Sequence, residues 1–471
     1  MDRLPHSLTN IGLDILTSMM MESVSTPGSL TSEEILLGTA VVVGIATLCL
    51  LIAPRIRVPA LLLLLPAGFA AGAFIPSAPL NEVVGDGFFS LVSISVGLIL
   101  FHGGMELFAS PIQGRDIRLI QRMVILGALL TWGAATIIIA LLLEVDTSIA
   151  ALLGAILIVS GPTVVGPLLA HIRPARRVRH ILMWEGTLVD PLGALLAVFV
   201  FQFIQAVQQP DIASESPLNT FLQSLLTGTV AGLVGLALMW LALRLAGRDS
   251  RLGTIALLGS VVAAVSWADS QVEDSGLLTA VIMGLLAPLM IRRMRKQNLG
   301  EILPFFDVVV SIGIGVLFVS ISALVPPEAV LAILWPGLGV LFLLVVVVRP
   351  AIALLLTIGS TLNIRERIFI GSLAPRGIVA AATAAGFSAP LADTLVGSEI
   401  LLPLTFLIIA GTVLIYSVGA GPMARLLKVR QVDDPEEDDP AEEIDRNIAI
   451  DLEYGRKWHR PSKRSTDADD N

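Results

Sequence analysis

Cysteine, charge and soluble-domain sequence are what this chain has least of, and each scarcity excludes something. Cys49 is the one cysteine among 471 residues, so the chain encodes no internal disulfide, no thiol pair and no Cys-based metal site. Charged residues make up 15% of the sequence against 55% hydrophobic, and the mean hydropathy is +0.85. That is more apolar surface than a single water-exposed fold can bury. Neither a nucleotide-binding loop nor a second intramembrane aspartate suited to a protease dyad is present, so the chain does not read as an enzyme. No cofactor and no nucleic-acid partner is implied. Residues 1–32 show no signal-peptide progression and read as an extramembrane lead-in. The net charge of −9 reflects in part a tail, 426–471, where Asp433, Asp434, Glu436, Glu437, Asp438 and Asp439 form an acidic run. This tail reads as solvated and disordered.

What is there is a succession of apolar runs between residues 33 and 425, each long enough for a spanning helix of about 20 residues. The runs predict an all-α integral membrane fold of about thirteen helices, starting near Glu34, Val58, Phe88, Met123, Ile149, Ile181, Thr220, Leu252, Gly276, Pro304, Ala329, Arg367 and Ile400. The links alternate in charge. Arg55 and Arg57, Arg115 to Arg122, Arg173 to Arg179, Arg244 to Arg251, Arg292 to Lys296, and Arg365 with Arg367 occupy every second one. The intervening links carry carboxylates such as Glu82, Asp146, Asp211, Asp269, Glu328 and Asp393, without Lys or Arg. The positive-inside rule then predicts a cytoplasmic C-terminus and an external N-terminus in a cell (plasma) membrane.

An odd helix count suggests two inverted six-helix repeats joined by a central span. The fifth span contains Ser160-Gly161-Pro162-Thr163, and its partner, the twelfth, contains Ala374-Pro375-Arg376-Gly377. Proline removes a backbone donor and clashes with the preceding turn, so both spans are predicted to break and to cross at a substrate site.

Charges inside the spans mark that site. Asp190, within Trp184-Glu185-Gly186-Thr187-Leu188-Val189-Asp190-Pro191, falls near mid-membrane, where a charge costs at least about 2.5 kcal/mol and avoids lipid. Its carboxylate can hold a proton or a desolvated monovalent cation, and competition between the two is the chemistry an exchanger requires. Glu185 and Arg349 fall at similar depth, and two readings stand for Glu185: a structural ion pair with Arg349, or an ion ligand. Arg376 places a permanent charge in the broken twelfth helix. Thr163 offers either a neutral oxygen for a hard cation or a hydroxyl bonded to its own helix. His102, in Phe101-His102-Gly103-Gly104-Met105-Glu106, reads as a pH-responsive group or as a satisfied interior histidine. Glu106 and Asp307 read as solvated groups at a helix mouth.

The stretches Glu185–Gly193, Ser160–Leu169, Arg349-Pro350, Pro375-Arg376-Gly377 and Phe101–Glu106 together resemble the monovalent cation:proton antiporter family, and specifically its NhaP-like Na⁺/H⁺ exchangers. The resemblance implies a homodimer in which a core domain moves against an interface domain. It also implies that Asp190 is the essential carboxylate, that Thr163 contributes to the ion site and that Glu185 pairs with Arg349. The sequence departs from that pattern at Val189, where the family has Asn, and at His102, where it commonly has an acid. Na⁺ is thus the first expectation for the cation, with K⁺ and Li⁺ as alternatives, and one site carboxylate favours electroneutral exchange by alternating access. A gated cation channel is the competing reading.

Overall fold

The computed structural model describes residues 32–429 except 57, 75–86, 110–113, 209–216, 248, 273–274, 295–298 and 393–396. The lead-in (1–31) and nearly all of the acidic tail (430–471) lie outside the described residues. Among those described, every regular element is helical. In chain order they are α1 (Ser32–Ile56), α2 (Leu61–Phe74), α3 (Gly87–Ala109), α4 (Gly114–Leu143), α5 (Thr147–Ile156), α6 (Pro162–Ile172) and α7 (Arg176–Gln208). Then follow α8 (Pro217–Ala246), α9 (Ser250–Gln271), α10 (Ser275–Met294), α11 (Leu299–Ala323), α12 (Pro327–Ala332) and α13 (Leu334–Phe342). A π-helical segment, Leu343–Val348, leads into α14 (Arg349–Leu356), and α15 (Ile364–Gly371), α16 (Ile378–Ala392) and α17 (Leu401–Leu426) complete the chain.

Nine of the described helical segments are long and apolar enough to cross a membrane, and shorter apolar helices occupy 61–73, 147–156, 275–291 and 378–388. Three of these four have identifiable causes. Helix α5 stops at the first break, α16 starts after the second, and α10 turns polar at Arg292 and Arg293. Helix α7, at 33 residues, is about 50 Å long, so it tilts through or extends beyond a hydrocarbon core of about 30 Å.

Contacts sort the helices into two bundles. Helices α4, α5, α7, α13, α14, α16 and α17 pack on one another, while α1, α2, α3, α9, α10 and α11 form a second group that α8 joins through α9 and α10. Small residues set the close approaches in the second group. A Cβ on Gly104 of α3 would lie 2.9 Å from the Gly284 backbone of α10, and one on Gly284 would collide with the Phe101 carbonyl. Likewise Gly68 of α2 sits against the Val319 backbone of α11. The bundle ends are tied by side chains whose links share a charge sign. At one end Arg177 donates to both Asp116 oxygens (2.5 and 3.0 Å) and to the Thr361 hydroxyl (2.7 Å), joining the starts of α4 and α7 to the α14–α15 link. At an acidic link, Asp269 accepts from Ser93 of α3 and from the Gly276 amide of α10 (2.6 Å).

The α3–α10 approach yields a stability prediction. Gly284→Ala is expected to lower the thermal unfolding midpoint of the detergent-solubilised protein, an overpacking cost of about 1–3 kcal/mol. Gly259→Ala, at a glycine of α9 with open space around it, is the control and should leave the midpoint unchanged or raise it. Equal midpoints for the two variants would show that backbone approach does not set this interface.

Candidate ion site at the crossing of two broken helices

The chain between α5 and α6 leaves helical geometry at 157–161, and that between α15 and α16 at 372–377. The first break lies before Pro162 rather than at it. Gly161 caps α6 in an extended conformation and proline takes one of the first two helical positions, where its missing N–H costs nothing. Pro167 remains inside α6 without ending it.

Broken helices leave backbone groups that lipid cannot satisfy, and arginines supply much of the repair here. Arg376, 6% exposed, donates from Nη1 to the Ile158 carbonyl at 2.8 Å, so a side chain from the second break satisfies the first. Its own amide donates to the Thr412 hydroxyl of α17 at 3.3 Å. Arg349 donates to the carbonyls of Ile370 and Leu373, both at 3.2 Å, where α15 runs into the second break. Its remaining donors meet Glu185 of α7 in a bidentate pair at 2.5 and 2.9 Å. The geometry has the planar fork-to-carboxylate form that Lys cannot reproduce.

The π-helical turn preceding Arg349 has a cause in Pro350, which has no amide to donate and whose ring crowds the carbonyl one turn back. The wider turn relieves that clash. Leu344 and Val348 from it, with Ser160, Glu185, Val189 and Arg376, line a narrow cavity of about 20 Å³, room for roughly one water.

Asp190 is not among the residues that line this cavity. It is 0% exposed, and among the described residues neither carboxylate oxygen has a hydrogen-bond partner. One turn earlier on the same face of α7, Thr187 is also fully buried with its hydroxyl unpartnered. Glycines bring α7 close to the first break: a Cβ on Gly186 would lie 3.1 Å from the Ser160 carbonyl, and one on Gly193 3.3 Å from the Val159 amide. Asp190 thus lies between two points where α7 touches the unwound segment. The backbone of Thr163 belongs to the first turn of α6, but its side chain lies outside the described residues.

His102 stands apart from this centre. Its Nε2 lies 2.8 Å from Asp307 Oδ1 of α11, which gives this buried imidazole an acidic partner. Three groups escaped the sequence reading of the centre: Thr187, whose signal was its three-residue spacing from Asp190, Tyr416, buried beside the second break, and the π-helical turn.

Residues 42–426 match the family described as sodium/hydrogen exchanger, transmembrane. The K(+)/H(+) antiporter NhaP2 of Shewanella sp. strain MR-4 is 25% identical over 394 residues, 83% of this chain and 66% of that protein, so the chain spans just under two thirds of the relative's length. NhaP2 of Shewanella baltica strain OS223 is 24% identical over the same span. Two structures of the sodium proton antiporter MjNhaP1 from Methanocaldococcus jannaschii share the fold. One, at pH 8, has a TM-score of 0.70, 22% identity and coverage of 84% of this chain and 99% of that one. The other has a TM-score of 0.71, 20% identity and coverage of 86% and 100%.

The buried pair yields a second prediction. Arg349→Met leaves Glu185 buried and unpaired, and thermal unfolding is expected to show a loss of about 3–5 kcal/mol. Glu185→Leu combined with Arg349→Met should recover part of that loss, since no charge is then stranded. A double variant less stable than the single would overturn the reading of this pair as the source of the cost.

Proposed function

The chain belongs to the sodium/hydrogen exchanger family, and from that premise we propose that it exchanges a monovalent cation for protons across the membrane by alternating access at Asp190. The observation that carries the reading is a sealed carboxylate whose two oxygens have no partner among the described residues. A buried carboxylate without a partner is tolerated only when its charge is cancelled. A proton and a desolvated cation each cancel it, and they compete for the same oxygens. In the proposed cycle the core bundle carries Asp190 between the two faces in one or the other neutralised form, while the second bundle stays fixed. Thr187 supplies a neutral oxygen, with Thr163 and the carbonyls of the first break as further candidates.

Glu185 serves as a strut in this mechanism, because both its oxygens are committed to Arg349. One free carboxylate remains, which supports one cation for one proton and electroneutral exchange. Na⁺ is the proposed cation. K⁺ is the second reading, favoured by Val189, which stands in the cavity wall where relatives of this kind carry an amide, and by the K⁺ specificity in the names of the Shewanella relatives. The proposed setting is a plasma membrane with the C-terminus cytoplasmic, supported by the alternation of basic links, and a homodimer, supported by the family resemblance. A gated channel is disfavoured, since the family is one of exchangers and the Asp190 oxygens are sealed.

Two measurements test the proposal. In everted vesicles carrying a pH-sensitive dye, Na⁺ addition should dequench the dye for the native protein and not for Asp190→Asn, while Li⁺, K⁺ and Ca²⁺ in turn rank selectivity. Collapsing the membrane potential should leave the rate unchanged. Native-rate exchange by Asp190→Asn would refute the mechanism. Separately, Thr187→Val should raise the cation concentration for half-maximal dequenching several-fold with the maximal rate retained; an unchanged value would remove Thr187 from the site.

A further inference from the structure

His102, Glu106 and Asp307 meet where α3 and α11 pack, and one donor atom from each lies within 4.8 Å of the others. His102 and Glu106, four residues apart, share a face of α3. Asp307 comes from the first half of α11. His102 is 7% exposed, and its buried Nε2 faces Asp307 Oδ1 at 2.8 Å. A proton or a metal ion between the two atoms would each hold them this close. Two donors each about 2.1 Å from one metal ion and at right angles to each other lie about 3.0 Å apart, which matches this spacing. With the imidazole neutral the three groups carry two negative charges. Arg179 of α7 lies within electrostatic range of Glu106 and offsets that charge in part. Asp307, with its side chain 57% exposed, opens the cluster to water, which supplies both an entry path and the remaining ligands.

We propose that His102, Glu106 and Asp307 form a binding site for one divalent transition-metal ion, separate from the transport centre at Asp190. One imidazole and two carboxylates suit Zn²⁺, Mn²⁺, Fe²⁺ or Co²⁺, and the absence of a thiolate argues against Cu⁺. The ion links α3 to α11 within a single bundle, so the site can form without movement of one bundle against the other.

The test uses tag-free full-length protein in nanodiscs, freed of metal by a chelator and titrated with Co²⁺. One Co²⁺ per chain is expected, with a visible d–d band that Zn²⁺ abolishes by displacement. His102→Gln and Asp307→Asn should each weaken binding at least tenfold, whereas Asp190→Asn should bind as the native protein does. X-ray absorption on the native Co²⁺ form should show one imidazole nitrogen among oxygen donors, a readout that holds even if a variant fails to fold. No saturable binding, a metal shell without imidazole, undiminished binding by a His102→Gln/Asp307→Asn double variant, or loss of binding in Asp190→Asn would each overturn the proposal. None of these readouts depends on transport.

Discussion

A helix that ends inside a membrane strands carbonyls and amides that lipid cannot bond, and the architecture around the candidate centre is organised by that constraint. Two such ends meet here. The guanidinium of Arg376 reaches from one break to the Ile158 carbonyl of the other, and Arg349 takes up the carbonyls of Ile370 and Leu373. Two buried cations then need a counter-charge, which Glu185 provides to Arg349 directly. Each element of the centre is thus present because another would be uncompensated without it.

Asp190 is the exception. Among the described residues every other buried charge at the crossing has a protein partner, whereas its two oxygens have none, although Arg376 and Arg349 lie in the same bundle. Burying a polar group without a bond costs several kcal/mol, and a stable fold has little reason to carry that cost at a structural position. A residue that must release and rebind its partner in each cycle is in a different situation. A permanent hydrogen bond or ion pair would hold one state at the expense of the other, so the absence of a fixed partner is what exchange between a proton and a cation calls for.

Much of this was legible in the sequence because membranes restrict what helices can do. The link arginines predict a sidedness, and one of them, Arg177, ties Asp116 and Thr361 together at one end of the bundle. Pro162 and Pro375 located the breaks, though the first begins at Leu157, ahead of its proline, which starts the next helix instead. Helix lengths were less legible, since a span interrupted halfway becomes two short helices. The π-helical turn was invisible because Leu343–Val348 has the composition of any apolar helix. Glycine content does not say which glycines pack: Gly313 faces open space, while Gly104 and Gly284 make the close approach. The meeting of His102 with Asp307 depends on how α3 and α11 rotate against each other, which hydropathy does not encode.

The central claim is that one carboxylate holds either a proton or a cation. Calorimetric titration of Na⁺, and then K⁺, into the purified protein in buffers of differing ionisation enthalpy counts the protons released per ion bound. The account predicts about one proton per cation at a pH where Asp190 is protonated in the free protein, and no linked release in Asp190→Asn. Cation binding with no proton release at any pH, or release that survives in Asp190→Asn, would contradict it.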